Sequence, residues 1–229
     1  MNHRYAIYAA PARGSALGKW GAAWLGRDAE TGAAVPHPAL SGWTAEAVAR
    51  VTEFPRHYGL HATLKPPFRL AAGETEAGLS EALARFAEGR APPPPARLRL
   101  ASLAGFLALV PDGDAASLCR LAEECVEHLD RFRAPPSAEE LARRREARLS
   151  AREEAHLERW GYPYVFDTFR FHITLSGSLP EAQRRRLAAS LAPLLAPVLA
   201  EPLRIPDLAL FVSEAGGAFR LARRFRLQR

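Results

Sequence analysis

The sequence predicts an α+β fold in which a strand–helix–strand–strand unit occurs twice. A His-x-Thr-Leu segment occurs at His61–Leu64 and again at His172–Leu175, each within a short apolar run typical of a β-strand. A helix-forming segment follows each of them. A proline and two strand-like segments come next, so that Pro95–Leu98 corresponds to Pro202–Ile205 at nearly the same distance from its histidine. Such a duplication would place the two histidines in equivalent positions, facing one shared cleft.

Local signals define the elements of the first half of the chain. Pro11 closes a first apolar strand, Thr44 is a candidate helix N-cap, and Pro66 ends the first histidine strand. In chain order the predicted elements are a strand at 5–9, a short helix at 20–25, a helix at 44–51, a strand at 60–64, a helix at 76–88, and strands at 97–100 and 106–110.

Capping boxes locate the helices of the second half. The spacing Ser-x-x-Glu, typical of a helix start, occurs at Ser137, Ser150 and Ser178. The predicted elements are a helix at 117–131, two charged helices at about 138–149 and 151–160, a strand at 169–175, a helix to about 199, and strands at 203–212 and 219–227. We interpret the charged segment at about 137–160 as an insertion within a single domain spanning residues 1–229. Its run Arg143–Arg145 is interpreted as a solvated helix face, with phosphate contact as the alternative.

Strand alternation predicts which side chains accompany the histidines. Residues two apart in a strand share a face, so Thr63 should lie beside His61, and Thr174 beside His172. Continued alternation adds Lys65 to the first face.

The same alternation adds Arg170 to the face of the second histidine. Both Lys65 and Arg170 are candidate substrate contacts, although a cation at a strand end is more often simply solvated. Tyr58 and Tyr162 are candidates for stacking on a base or sugar, with a place in the core as the alternative.

Composition narrows the class of protein without assigning a function. The chain has 229 residues, a formal net charge of +6 and 48% hydrophobic residues, which is ordinary for a globular protein. Excess positive charge favours anionic partners. Cys119 and Cys125 are six residues apart in a helix-like stretch and do not suit a disulfide. No signal peptide or membrane-spanning segment is recognisable, so a cytoplasmic location without membrane contact is expected.

The paired motifs resemble the two-histidine phosphoesterase superfamily, whose members include RNA 2′,3′-cyclic phosphodiesterases with ligase activity. Longer strings are similar to the branch encoded in bacterial phosphonate-metabolism operons: Arg4–Tyr8, Trp24–Arg27, Tyr58–Lys65, Trp160–Val165 and Phe169–His172. The resemblance implies a bilobal α+β fold, with two antiparallel sheets flanking a central cleft and helices on the outside. It also implies chemistry without a metal or another cofactor. The insertion at about 137–160 departs from the compact RNA enzymes.

The residue types suit hydrolysis of a phosphodiester. One imidazole, His61 or His172, would take a proton from water while the other protonates the leaving oxygen. Thr63 and Thr174 would donate hydrogen bonds to the non-bridging oxygens. The sequence leaves open which histidine is the acid and which is the base.

The predicted function is therefore that of a cyclic phosphodiesterase-like hydrolase acting on a small cyclic or nucleotide-like phosphoester. Phosphonate metabolism is the expected context. Two alternatives stay open: RNA processing of the 2′,3′-cyclic phosphodiesterase and ligase kind, and non-catalytic binding of a nucleotide or phosphonate. The sequence favours a small-molecule partner over RNA and does not indicate an oligomeric state. Zinc held by His57 and His61 would need a helix there, which Gly59 disfavours.

Overall fold

Seven antiparallel strands form one continuous sheet in the computed structural model, which describes residues 3–228. The strands are β1 (Arg4–Ala9), β2 (Ala62–Phe68), β3 (Leu98–Leu103), β4 (Phe106–Pro111), β5 (Ile173–Thr174), β6 (Asp207–Ser213) and β7 (Arg220–Arg226). Their order across the sheet is β3-β4-β5-β2-β1-β6-β7. The two histidine strands, β2 and β5, are therefore neighbours near the middle of the sheet.

This arrangement differs from the two sheets expected from the resemblance. β2 and β5 pair through Ala62 and Ile173, and that pair joins the two halves into one sheet. The second histidine strand is also much shorter than predicted, because only Ile173 and Thr174 have strand pairing. Four strands lie on the β2 side of this junction and three on the β5 side, so the strand order does not show a duplication.

Seven α-helices lie within the described part of the chain. They are α1 (Ala16–Leu25), α2 (Ala45–Tyr58), α3 (Glu76–Glu88), α4 (Ala116–His128), α5 (Ala138–Arg145), α6 (Ala151–Trp160) and α7 (Glu181–Val198). Two short 3₁₀ turns, Asp130–Phe132 and Phe166–Thr168, complete the ordered elements. Within residues 3–228, no helix combines the length and the apolar character that crossing a bilayer requires.

The two faces of the sheet are covered differently. On β1, Tyr5 and Ile7 face a large apolar core that includes buried residues of α1, α2, α3, α4 and α7. Ala6 and Tyr8 face a smaller cluster, which also contains Phe211. The smaller cluster therefore lies on the opposite face of the sheet from the main core.

The predicted capping boxes are present at the starts of both charged helices. Ser137 caps α5 and Ser150 caps α6, each with the glutamate three residues later. α5 ends at Arg145, earlier than predicted, and Arg148 just beyond it has a left-handed backbone (φ 52°). The third capping box is wrong: α7 begins after Pro180, and no side chain caps it.

Candidate active site

The pairing of Ala62 with Ile173 brings the two His-x-Thr segments together. Both of these side chains are fully buried in the main core, so the side chains on either side of each point to the other face. The antiparallel register places His61 across from Thr174, and His172 across from Thr63. Directly opposed Cβ atoms lie about 5 Å apart, and diagonal neighbours about 7–8 Å. The two histidines are therefore diagonal neighbours on one face of the sheet.

Both imidazoles are held in the same way by the backbone. Nδ1 of His61 lies 2.8 Å from the carbonyl oxygen of Gly59, and Nδ1 of His172 lies 2.7 Å from that of Arg170. A carbonyl oxygen only accepts, so Nδ1 carries the hydrogen in each ring. Nε2 is then the proton acceptor of each ring, and in His61 it accepts from the Thr63 hydroxyl, with Oγ1 at 3.2 Å.

Aromatic side chains surround His61. The ring of Tyr8 stacks on it with centroids 3.6 Å apart, and the rings of Tyr58 and Phe211 lie at 6.1 and 6.3 Å. Burial lowers the pKa of His61 to about 4; the Gly59 carbonyl opposes this shift, and the charge of His172 adds to it. An imidazole in this environment is neutral at neutral pH.

His172 has a less aromatic environment. Its ring centroid lies 5.7 Å from that of Phe106. Burial lowers its pKa as well, and the hydrogen bond to the Arg170 carbonyl opposes the shift. Both histidines of the free protein are therefore poised to accept a proton.

Lys65 does not lie on the histidine face, which corrects the prediction from strand alternation. Adjacent residues Ile7 and Tyr8 of β1 pair with Lys65 and Thr63 of β2, so a β-bulge adds one residue to β2 at this point. The bulge reverses the alternation and turns Lys65 into the core, where it is 1% exposed.

The Lys65 ammonium has partners of its own in the core. Nζ lies 3.0 Å from the Val126 carbonyl oxygen and 3.4 Å from Oδ1 of Asp130. Burial lowers the pKa of Lys65 to about 8, against the opposing effect of Asp130. We conclude that Lys65 supports the structure beneath β2.

The other candidate contacts lie around the histidine face. Tyr58, at the end of α2, stacks on Phe219 with centroids 5.3 Å apart and borders His61. The guanidinium carbon of Arg144 lies over the ring of Tyr162, 4.6 Å from the ring centroid. Burial raises the pKa of Tyr162, and the Arg144 charge opposes that rise.

Arg170 is exposed and lies two residues before His172. Its carbonyl oxygen fixes the ring of His172, and its side chain stays a candidate contact for an anionic substrate.

Sequence reasoning missed Tyr8, whose ring covers His61. The alternation of β1 puts Tyr5 and Tyr8 on opposite faces, and either ring could face a site. Only the pairing of Tyr8 with Thr63 assigns its face. That pairing joins residues more than fifty positions apart and leaves no local signal.

Zinc binding by His57 and His61 would require both residues to lie on one helix. His57 belongs to α2 but His61 lies beyond its end, separated by Gly59 with φ 80°, so the two do not share a helix turn. Across residues 3–228, no three His, Cys, Asp or Glu side chains are grouped in a way that could hold a metal ion.

Comparisons with known proteins found a matching family and two similar bacterial proteins. Residues 63–220 match the family described as "Protein of unknown function (DUF1045)". A protein of Janthinobacterium sp. (strain Marseille) named ribose 1,5-bisphosphate phosphokinase PhnN is 36% identical over 219 residues, 94% of this chain and 48% of that protein. A protein of the same name from Laribacter hongkongensis (strain HLHK9) is 41% identical over 221 residues, 96% of this chain and 51% of that protein. The chain thus spans about half the length of these relatives.

Two solved structures show weaker similarity. E. coli LigT complexed with NADP+ matches with 12% identity and a TM-score of 0.44, covering 100% of this chain and 99% of LigT. The conserved protein of unknown function ATU0111 from Agrobacterium tumefaciens str. C58 also matches with 12% identity and a TM-score of 0.44, covering 98% of this chain and 87% of that one. At these scores the two structures support no argument about the site.

Proposed function

This chain belongs to the DUF1045 family, and from that premise we propose that it is a metal-independent phosphodiesterase acting on a small cyclic or nucleotide-like phosphoester. The family match and the two relatives named PhnN support the resemblance to the branch encoded in phosphonate-metabolism operons. One observation carries the proposal. Two imidazoles with the same fixed tautomer lie diagonally on one face, each across from a threonine.

The proposed reaction uses each Nε2 atom once. One neutral imidazole takes a proton from water, and the water oxygen forms a bond to phosphorus. The bond from phosphorus to the leaving oxygen breaks, and the other imidazole, protonated beforehand, gives that oxygen its proton. The anionic phosphodiester raises the pKa of a neighbouring imidazole and so supplies the charged partner. The hydroxyls of Thr63 and Thr174 donate to the non-bridging oxygens as their charge grows.

The relatives' name favours a ribosyl substrate. Ribose 1,5-bisphosphate phosphokinase denotes an enzyme that phosphorylates a sugar phosphate. Ring opening of a cyclic ribosyl phosphodiester yields a phosphomonoester of that chemical class. The kinase name belongs to proteins twice as long, and the printed sequence contains no G-x-x-x-x-G-K-[ST] segment. We therefore assign this chain hydrolysis and not phosphorylation, with residues 1–229 acting as one domain and the segment at about 137–160 as an insertion beside the site.

A turnover screen tests the proposal. Wild type, His61→Ala and His172→Ala are assayed against cyclic ribosyl phosphates, nucleoside 2′,3′-cyclic phosphates and RNA with a 2′,3′-cyclic end, each with and without EDTA. The expected result is turnover of a small cyclic compound by wild type alone, unchanged by EDTA. Preference for the RNA end would favour the RNA-processing alternative. Tight binding without turnover would favour a binding protein, and loss of activity in EDTA that zinc or manganese restores would overturn the metal-free mechanism.

A further inference from the structure

The structure separates the three arginines of the run Arg143–Arg145. Arg143 is exposed to solvent. Arg145 forms ion pairs with Glu154 and Glu158 of the next helix. Arg144 instead turns toward Tyr162 and is partly buried. Of the three, Arg144 is therefore the one directed toward the aromatic side chains near His61.

Arg144 and Arg4 share an unusual feature. The Nε atom of each is buried, and neither has a hydrogen-bond partner among residues 3–228. A guanidinium only donates, and a buried charged donor without an acceptor destabilises the protein. An anion between the two side chains would supply the missing acceptors.

The charge around these two arginines is not balanced. Glu140 forms ion pairs with Arg4 at 3.7 Å and with Arg69 at 3.3 Å, and it lines the same small cavity as Arg144. Glu140 also accepts the backbone N–H of Ser137 at 3.0 Å, as part of the α5 capping box. Three guanidinium groups around one carboxylate leave an excess of two positive charges, which favours a dianion.

This cluster adjoins the histidine face. Arg4 and Tyr8 lie on the same face of β1, and Tyr8 stacks on His61. Burial raises the pKa of Tyr8; Tyr58 and Tyr162 add to the rise, and Arg4 opposes it, so these groups are electrostatic neighbours. The arginines therefore neighbour the aromatic side chains that border His61.

We propose that Arg4 and Arg144 form a subsite for a second phosphate group, carried by the same substrate whose phosphodiester lies between His61 and His172. This inference rests on the proposed function and specifies its substrate class: a cyclic phosphodiester with a phosphomonoester at its other end. The planar guanidinium fork matches the oxygens of a phosphomonoester, which carries close to two negative charges at neutral pH.

A simpler explanation of the unpartnered Nε of Arg144 makes a different prediction. Arg69, Glu140 and Arg144 line a cavity of about 20 Å³, which has room for one water molecule. A single water there would satisfy the Nε atom without any ligand. Under that explanation, replacing Arg144 leaves the affinity for every phosphorylated compound unchanged.

Equilibrium binding of a matched pair of compounds distinguishes the two explanations. The probes are adenosine 2′,3′-cyclic phosphate and its 5′-phosphorylated derivative, titrated calorimetrically into the protein with its wild-type arginines and into Arg144→Gln, Arg4→Gln and the control Arg143→Gln. All four proteins also carry His172→Ala, so that neither compound is hydrolysed during the titration. Arg143 is adjacent, exposed and on the same helix, so the control removes an equal charge without touching the subsite. Inorganic phosphate alone is a separate arm.

We expect the 5′-phosphate to tighten binding by about 10-fold to 100-fold in the protein with its wild-type arginines and in Arg143→Gln. This gain should be lost in Arg144→Gln and in Arg4→Gln. An absent gain with the wild-type arginines, including no detectable binding of either compound, overturns the subsite. So does a gain that survives in Arg144→Gln. Inorganic phosphate that binds at the arginines as tightly as the linked phosphate would assign the cluster to a free anion and overturn the link to substrate.

A parallel assay separates this inference from the proposed function. Turnover of both compounds by wild type is measured beside binding, and the exposed control Arg143→Gln should match wild type because it leaves the histidines and the subsite unchanged. If no compound is turned over but the 5′-phosphate still tightens binding through Arg144, the proposed function fails and the subsite stands. If turnover occurs without any effect of the 5′-phosphate, the subsite fails and the proposed function stands.

Discussion

His61 and His172 occupy the same local motif in two different surroundings. Each donates Nδ1–H to the carbonyl oxygen two residues before it, and each precedes a strand that carries the threonine. His61 leads into a seven-residue strand and stacks on Tyr8, whereas His172 leads into a two-residue strand beside Phe106. Burial lowers the pKa of both, and more strongly for His61, to about 4. Identical motifs therefore differ in proton affinity because of what packs around them.

This difference suggests a division of roles. The imidazole with the lower pKa stays neutral over a wider pH range, which suits a base. The other imidazole is the easier one to protonate, which suits an acid. We therefore predict that His61 is the base and His172 the acid in the hydrolytic direction. The following predictions test the difference between the two regions, beginning with the largest expected effect.

Replacing either histidine should have the largest effect. His61→Ala and His172→Ala are each expected to lower kcat by about 10²-fold to 10⁴-fold on the true substrate, the usual contribution of a positioned acid or base. Because both act in one step, the double variant should lose much less than the product of the two single losses. Steady-state kinetics of the four proteins checks this. Near wild-type turnover by either single variant would refute the acid–base pair.

The support beneath β2 includes the buried ion pair of Lys65 and Asp130. Asp130→Ala should lower the free energy of unfolding by about 3 kcal/mol, because it leaves the buried Lys65 ammonium without its carboxylate. Urea denaturation measures the loss. Lys65→Met is the matched control. It removes the ammonium charge, while Asp130 keeps its other partners, Arg133 and Arg159. The free energy of unfolding should therefore fall much less than in Asp130→Ala. A large drop in kcat for folded Lys65→Met would restore the substrate-contact role that the geometry argues against.

The threonines should matter less than the histidines. Thr63→Val and Thr174→Val each remove one donor to the phosphate while keeping the side-chain volume, and should lower kcat/KM by about 10-fold to 100-fold. Equal losses would indicate that the two threonines act alike despite their different surroundings. Kinetics together with a thermal melt separates this effect from a loss of folding. A variant that folds normally with unchanged kcat/KM would show that its hydroxyl does not contact the phosphate.

The smallest effects are shifts of the pH profile. In the free protein the base must be neutral and the acid charged, so kcat/KM should follow a bell, with its acid limb near the His61 pKa of about 4 and its alkaline limb at the His172 pKa, which burial lowers below the ordinary imidazole value. Tyr8→Leu exposes His61 and raises its pKa, so the acid limb of the bell should move to higher pH. Phe106→Leu does the same for His172, so the alkaline limb should move to higher pH. If each substitution instead moved the opposite limb, the assigned roles would be reversed.

The reliability of sequence reasoning differed between these parts of the molecule, for physical reasons. The helix starts at Ser137 and Ser150 were predictable because a capping box is a local signal. The shared face of His61 and Thr63 was predictable because only two residues of alternation are needed. The face of Lys65 was not, because the bulge that reverses it arises from pairing with the distant β1. The single sheet was also unpredictable, since it depends on β2 meeting β5 across more than a hundred residues.

The junction between β2 and β5 has a mechanical consequence. Its register rests on the single pair Ala62 and Ile173, whereas the neighbouring β1–β2 pairing extends along most of both strands. A sheet bends most easily along the line with the fewest cross-strand hydrogen bonds, and here that line runs between the two imidazoles. A small flexing of the sheet along this line therefore changes the gap between proton acceptor and proton donor. The distance between the two imidazoles, on which an in-line displacement depends, is therefore set at the junction where a single residue pair joins the strands.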